Sequence, residues 1–180
     1  MTTSKMATPA AQRSAAPAKR LVPAKPVMHA ATVKAARLAS GKVDTKLFSR
    51  LVSDVPVGGV AAIRFIREGY SAKVLKAASG FFGVPEARIQ KIAHVPASTA
   101  SRLEKKEANI DSAATERVYR MGMITRMAIE VFESEPSAIE WMRQPNRALG
   151  DAAPLDLMDT EPGAVSVRQV LNAIATGGVA

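Results

Sequence analysis

Cysteine is absent from the 180-residue chain, which excludes disulfide scaffolds, thiol nucleophiles, thiolate zinc sites and iron–sulfur clusters. Histidine is nearly absent: only His29 and His94 occur, too few for an imidazole metal site or a nucleophile–base triad. Aromatic side chains make up 4% of the chain, against 47% for all apolar residues, so the expected core is aliphatic and methionine-rich. No apolar run approaches the roughly 20 residues that a membrane helix needs. Residues 1–30 carry bases and prolines where a secretory signal would be apolar. These absences leave a soluble, cytoplasmic protein of one or two modest domains, with no membrane partner and no cofactor expected.

Acids are also missing, at one end. Residues 1–50 hold ten Lys or Arg against Asp44 alone; residues 51–120 hold eleven bases and seven acids; residues 121–180 hold four and eight. A cationic first half favours polyanions through counterion release, and an acidic final third discourages them, so the two halves suggest different partners. The leader, taken as residues 1–50, combines Pro9, Pro17, Pro23 and Pro26 with alanine, serine and lysine. It is expected to be disordered, as an arm along phosphates, a solvated tail or a transit-like start.

The body from Asp54 onward shows short helical patterns between glycine and proline punctuation and no alternating strand pattern, so the fold class is all-α. Val60, Ile63 and Ile66 mark the apolar side of a first helix, and Ser71 is a candidate N-cap for a second holding Val74, Leu75 and Ala78. Further helices are expected from Pro85, over 97–106, and from Ser112 to about Glu133 behind an Asp111 cap. Beyond these, one runs near 136–143, a turn of helix covers 155–158, and a last helix runs to about Thr176 with Val167, Val170, Leu171 and Ile174 on one face. Gly177 and Gly178 are expected to end it.

The stretch 85–103 has the length of a helix, a tight turn and a second helix. With Ala93, Val95, Ala100 and Leu103 inward, Ser98, Ser101, Arg102 and Lys105 share the opposite face, with Thr99 and Lys106 beside them. Small hydroxyl side chains let a helix sit deep in a major groove. Arg102 can donate two hydrogen bonds to a guanine edge or a phosphate, and Lys105 and Lys106 can take phosphates. The run resembles the recognition helix of helix-turn-helix repressors, departing from them at Gln90, where a small residue is usual, and at His94, where glycine is common.

The C-terminal third carries Ala138-Ile139-Glu140-Trp141-Met142, Pro145-Asn146, Leu149-Gly150, Pro154-Leu155, Thr160 and Gly163 ahead of the last helix. Trp141, Pro145 and Pro154 read as structural anchors, and Gly150 as a turn residue. In this order the motifs resemble the toxin-binding domain of the Xre/MbcA/ParS antitoxins, and Glu116-Arg117-Val118-Tyr119-Arg120 is similar to the helix that follows their Xre-type helix-turn-helix. The resemblance spans residues 58–178, with Met142 where that family has leucine. It implies a non-enzymatic bacterial antitoxin with two ordered units, a helix-turn-helix DNA-binding domain over 54–120 and a toxin-binding domain over 121–180. Its implied partners are operator DNA and a RES-domain, NAD-consuming toxin whose active site it blocks, with a homodimer inside a larger complex.

Toxin-contact candidates under that resemblance are Asn146, Arg147, Leu149 and Gly150 in one loop and Thr160, Gly163 and Arg168 further on. Glu133, Glu135 and Glu140 lack a partner base or ligand set, so a carboxylate enzyme is the weakest reading. The alternative of another class is an autonomous transcriptional regulator with an oligomerising or ligand-sensing C-terminal lobe.

Overall fold

The computed structural model describes residues 44–177; residues 1–43 of the expected leader, and Gly178, lie outside them. Among the described residues there are eight α-helices: α1 (Lys46–Asp54), α2 (Gly59–Glu68), α3 (Lys73–Phe82), α4 (Glu86–Ala93), α5 (Ala97–Lys105), α6 (Ser112–Phe132), α7 (Glu135–Arg143) and α8 (Glu161–Ala175). Two 3-10 turns, Arg147–Leu149 and Pro154–Asp159, stand between α7 and α8. The all-α class holds, and among the described residues pairing of extended backbone is confined to isolated bridges, Ser71 with Asn109 and Asn146 with Ala152.

Helix α1 corrects the leader boundary at residue 50. Phe48, Leu51, Val52 and Val55 stand at i, i+3, i+4 and i+7 and are all buried. Phe48 meets Phe81 and Phe82 of α3 at centroid distances of 5.1 and 5.3 Å. Burying each such side chain contributes about 1.5–3 kcal/mol, which holds a nine-residue helix that would not persist alone in water.

Helix α6 is the axis of the fold. Asp111 starts it, its carboxylate accepting from the Ala114 N–H at 2.7 Å. Helices α1, α2, α4, α7 and α8 all pack on it. It is consequently buried on several sides, with Val118 and Met121 inaccessible and the Thr125 hydroxyl donating to the Met121 carbonyl at 2.7 Å. Gly122 is where α1 comes closest, since a Cβ there would lie 1.9 Å from Leu51 Cδ2. The boundary expected between residues 120 and 121 falls inside this helix. One apolar core runs from Phe48 to Leu171, and no linker separates the halves.

Two local expectations change. The stripe Val60, Ile63, Ile66 was expected to face inward, yet α2 buries Ala62 and half-buries Phe65 and Ile66, leaving Val60 and Ile63 exposed. A ten-residue helix packed along one flank covers one of two apolar sides, and Phe65 decides which by meeting Tyr70 and Tyr119 at 5.0 and 6.2 Å. Ser71 does not cap α3 through its side chain. Ala72 is the N-cap residue, and Ser71 pairs with Asn109 in the bridge.

Candidate functional site

The turn between α4 and α5 is built by His94, which adopts the left-handed conformation at φ 56°. Histidine tolerates it better than most non-glycine residues. The His94 N–H donates to Lys91 O and the Val95 N–H to Gln90 O, at 3.1 and 2.9 Å. Gln90, larger than the small residue usual there, is accommodated by turning its amide to Glu86 at 2.7 Å. Pro96 then precedes α5 with extended ψ.

The sequence placed four side chains inward and four outward, and their positions agree. Ala93, Val95 and Ala100 are buried and Leu103 is half-buried against the core; Ser98, Ser101, Arg102 and Lys105 are exposed, as is Lys106. Thr99 sits half-buried beside that stripe. No ion pair engages Arg102, Lys105 or Lys106 among the described residues, so three cations face solvent uncommitted.

The segment after α5 is pinned to the α2–α3 connection. The Asn109 amide donates to Glu68 O and Gly69 O at 3.3 and 3.2 Å, and the Ile110 N–H donates to Tyr70 O at 2.9 Å. Gly69 permits this approach, because its φ is +76° and a Cβ would lie 2.6 Å from Ile110 O. Lys73 and Glu107 close the same corner with an exposed ion pair at 2.6 Å. Their hydrogen bond raises the ammonium pKa and lowers that of the carboxyl.

In the C-terminal lobe most motif residues set shape. Ser134 caps α7 by accepting from the Ser137 N–H at 3.3 Å. The side chains this helix buries are Ala138 and Met142, both at 0% exposure, whereas Trp141 is half-buried on Phe132 at 5.6 Å. The anchor is therefore Met142, with the indole closing the rim. Pro145 is exposed just past the end of α7, outside the core; Pro154 is buried and starts the second 3-10 turn. Thr160 Oγ1 accepts from the Gly163 N–H at 3.3 Å, capping α8. Gly163 is required by closeness, since a Cβ would lie 2.2 Å from Leu157 O.

Those contacts divide the seven candidate contact residues. Thr160 and Gly163 shape the start of α8. Asn146 accepts from the Ala148 N–H at 2.9 Å, and Leu149 is half-buried against the core. Arg168 pairs with Glu161 at 2.6 Å. Arg147 and Gly150 stand exposed on the turn, where Gly150 at φ 66° and Asp151 at φ 61° reverse the chain.

Arginines that sequence reasoning did not single out tie the lobe to the rest. Arg120, 9% exposed, reaches the Glu116 carboxylate, the Met158 carbonyl at 3.1 Å and Glu161 at 3.2 Å. Arg88 of α4 makes a two-point pair with Asp156 at 2.7 and 2.8 Å. Arg126 donates to Val52 O and Val55 O, and Arg143 to Phe82 O and Glu140. The Glu140 carboxyl is held below its ordinary range, first by the hydrogen bond from Gln144 and then by Arg143. Their common signal is an arginine on a core-forming helix, which sequence alone cannot distinguish from a solvated one.

Among the described residues no cluster of His, Asp and Glu could hold a metal ion, and no helix is long and apolar enough to cross a membrane.

Comparison with known proteins finds two family models that match successive parts of the chain. Residues 61–122 match the model of the antitoxin Xre-like helix-turn-helix domain. Residues 127–177 match that of the antitoxin Xre/MbcA/ParS C-terminal toxin-binding domain. A protein named Antitoxin Xre from Yersinia enterocolitica is 25% identical over 120 residues, 66% of this chain and 81% of its own length. Another of that name from Photorhabdus laumondii is 24% identical over 139 residues, 77% of this chain and 94% of its own.

Proposed function

Because the chain belongs to the Xre/MbcA/ParS antitoxin family, with a helix-turn-helix domain ahead of a toxin-binding domain, we propose that its toxin is a RES-domain enzyme that consumes NAD and that it represses its own operon. The chain acts without chemistry of its own. The lobe occludes the toxin's active site, and a homodimer in the cytoplasm presents two reading helices to a two-fold operator.

One observation supports this reading: two separate segments carry the exposed side chains it needs. The α5 stripe of Ser98, Ser101 and Arg102 is exposed and cationic, and the 146–151 turn is locked by its own backbone bonds with Arg147 unpaired at its tip. A preformed turn loses little conformational entropy on docking.

Co-expression with the neighbouring reading frame tests it. A RES-domain product should co-purify with the chain, and its NAD consumption should fall to background when the two are combined. Arg147→Glu should restore measurable consumption at equal concentrations while leaving operator binding unchanged. If the neighbouring product is no RES protein, or is bound but not inhibited, the toxin assignment fails. Duplex binding with no co-purifying toxin would instead favour the autonomous regulator.

A further inference from the structure

Neither proposed partner accounts for the outer side of α2. Val57, Val60 and Ile63 are 72%, 73% and 49% exposed, three of the four large apolar side chains left in solvent among the described residues. On α2 they continue into Arg64 and Arg67, so that Val60, Ile63, Arg64 and Arg67 stand at i, i+3, i+4 and i+7. This is one helical stripe, apolar at its start and cationic at its end.

The fold holds this stripe rigid. Phe65 is wedged against Tyr70 and Tyr119 behind it. The Tyr119 hydroxyl donates to Pro56 O at 2.7 Å, and Arg126 holds the Val52 and Val55 carbonyls, so the turn that projects Val57 into water is fixed from both sides. Polar bonds that fix an apolar surface in solvent create a docking face ready-made.

We propose that this face pairs with the same face of a second copy, α2 against α2 antiparallel about a two-fold axis near Ile63 and Arg64. The inference rests on the homodimer reading above and names its surface. Self-pairing in that register sets apolar side chains against arginine stems, with the two Arg64 guanidiniums beside the axis turned out into water. Ile63 meets the stem of Arg64, and Val60 meets the stem of Arg67, whose methylenes cover apolar surface while the guanidinium stays wet. Glu68, at the end of one helix, comes opposite the first turn of the other, where Gly58 provides no side-chain cap and the N–H groups are free. A carboxylate is favoured there and disfavoured at its own helix end. An isologous contact requires such a patch, each half answering the other.

The full chain tests this by sedimentation equilibrium. The parent should have the mass of two chains, and Ile63→Glu that of one, with self-association at least tenfold weaker. Val60→Lys, at a more exposed position, should act likewise, and unchanged helical circular dichroism shows both variants folded. Since cysteine is absent, single thiols report the register. Mixing Val60→Cys with Arg67→Cys chains under oxidation should enrich the mixed disulfide several-fold over either homodisulfide. A parent dimer untouched by Ile63→Glu, or a predominance of the 60–60 disulfide, overturns this face and leaves the dimer standing. A monomeric parent that still binds duplex overturns both.

Discussion

Helix α5 and the C-terminal lobe are of similar standing as motifs and opposite in construction. Ala100 is the one fully covered side chain of α5, with Leu103 and Thr99 partly covered and Ser98, Ser101, Arg102 and Lys105 left to solvent. The lobe buries Ala138, Met142, Leu155, Met158, Ala164, Val167 and Leu171 completely, and its recognisable Thr160, Gly163 and Pro154 serve a cap, a close approach and a helix start. Motif residues of α5 are thus available for contact, while those of the lobe hold the shape on which contact residues sit. Substitutions in the first should change binding at constant stability, and substitutions in the second should change stability first.

The sharpest break of that comparison is Gly163→Ala. The added carbon would press on the Leu157 carbonyl oxygen, a backbone atom that cannot swing aside. A loss on the order of 3 kcal/mol in urea unfolding is expected. A loss under about 1 kcal/mol would mean that the start of α8 yields easily and that Gly163 is free for contact. Arg120→Met comes next. It leaves Glu116 and Glu161 facing each other without their cation and should cost about 2–3 kcal/mol, read from the same curves.

Arg102→Ala probes the other arm. Duplex affinity should fall roughly ten- to a hundredfold, the value of one base-edge or phosphate arginine, while the unfolding midpoint stays within about 0.5 kcal/mol of the parent. A stability loss as large as that of Arg120→Met would erase the distinction between the two regions. The mildest case is Thr160→Ala, where loss of one cap should cost about 1 kcal/mol and leave toxin inhibition intact at saturating antitoxin. Point substitutions serve better than removing residues 160–180, because Val167 and Leu171 of α8 are inaccessible members of the shared core.

Acidity adds a test of the lobe alone. The Glu140 carboxyl is depressed in the folded chain by Gln144 and Arg143. Its contribution is therefore present above the ordinary glutamate range and is lost as pH falls through the lowered folded value. Glu140→Gln should flatten that part of the stability profile, and an unchanged profile would remove Glu140 from the lobe's stabilising contacts.

Much of this was legible from local pattern. The α5 stripe, the Asp111 cap, the long α6 and the apolar face of α8 follow from spacing within one segment. Where the sequence reading missed, two segments had to be known together. The apolar spacing of α1 is plain in retrospect, but proline and lysine upstream disguised it as leader. Trp141 outranked Met142 on size, yet rim and core on α7 are assigned by where Phe132 and the second 3-10 turn lie.

Composition and periodicity alone determined the helical class, the absence of thiol chemistry and which side of α5 meets solvent, because each depends on residues within a few turns of one another. Only the tertiary structure decided that α6 serves both halves, that α2 turns Val60 and Ile63 outward, and that Arg88 and Arg120 tie the lobe to the reading unit. Burial and ion pairing are relations between segments as far apart as Arg88 and Asp156, and no local pattern carries that separation.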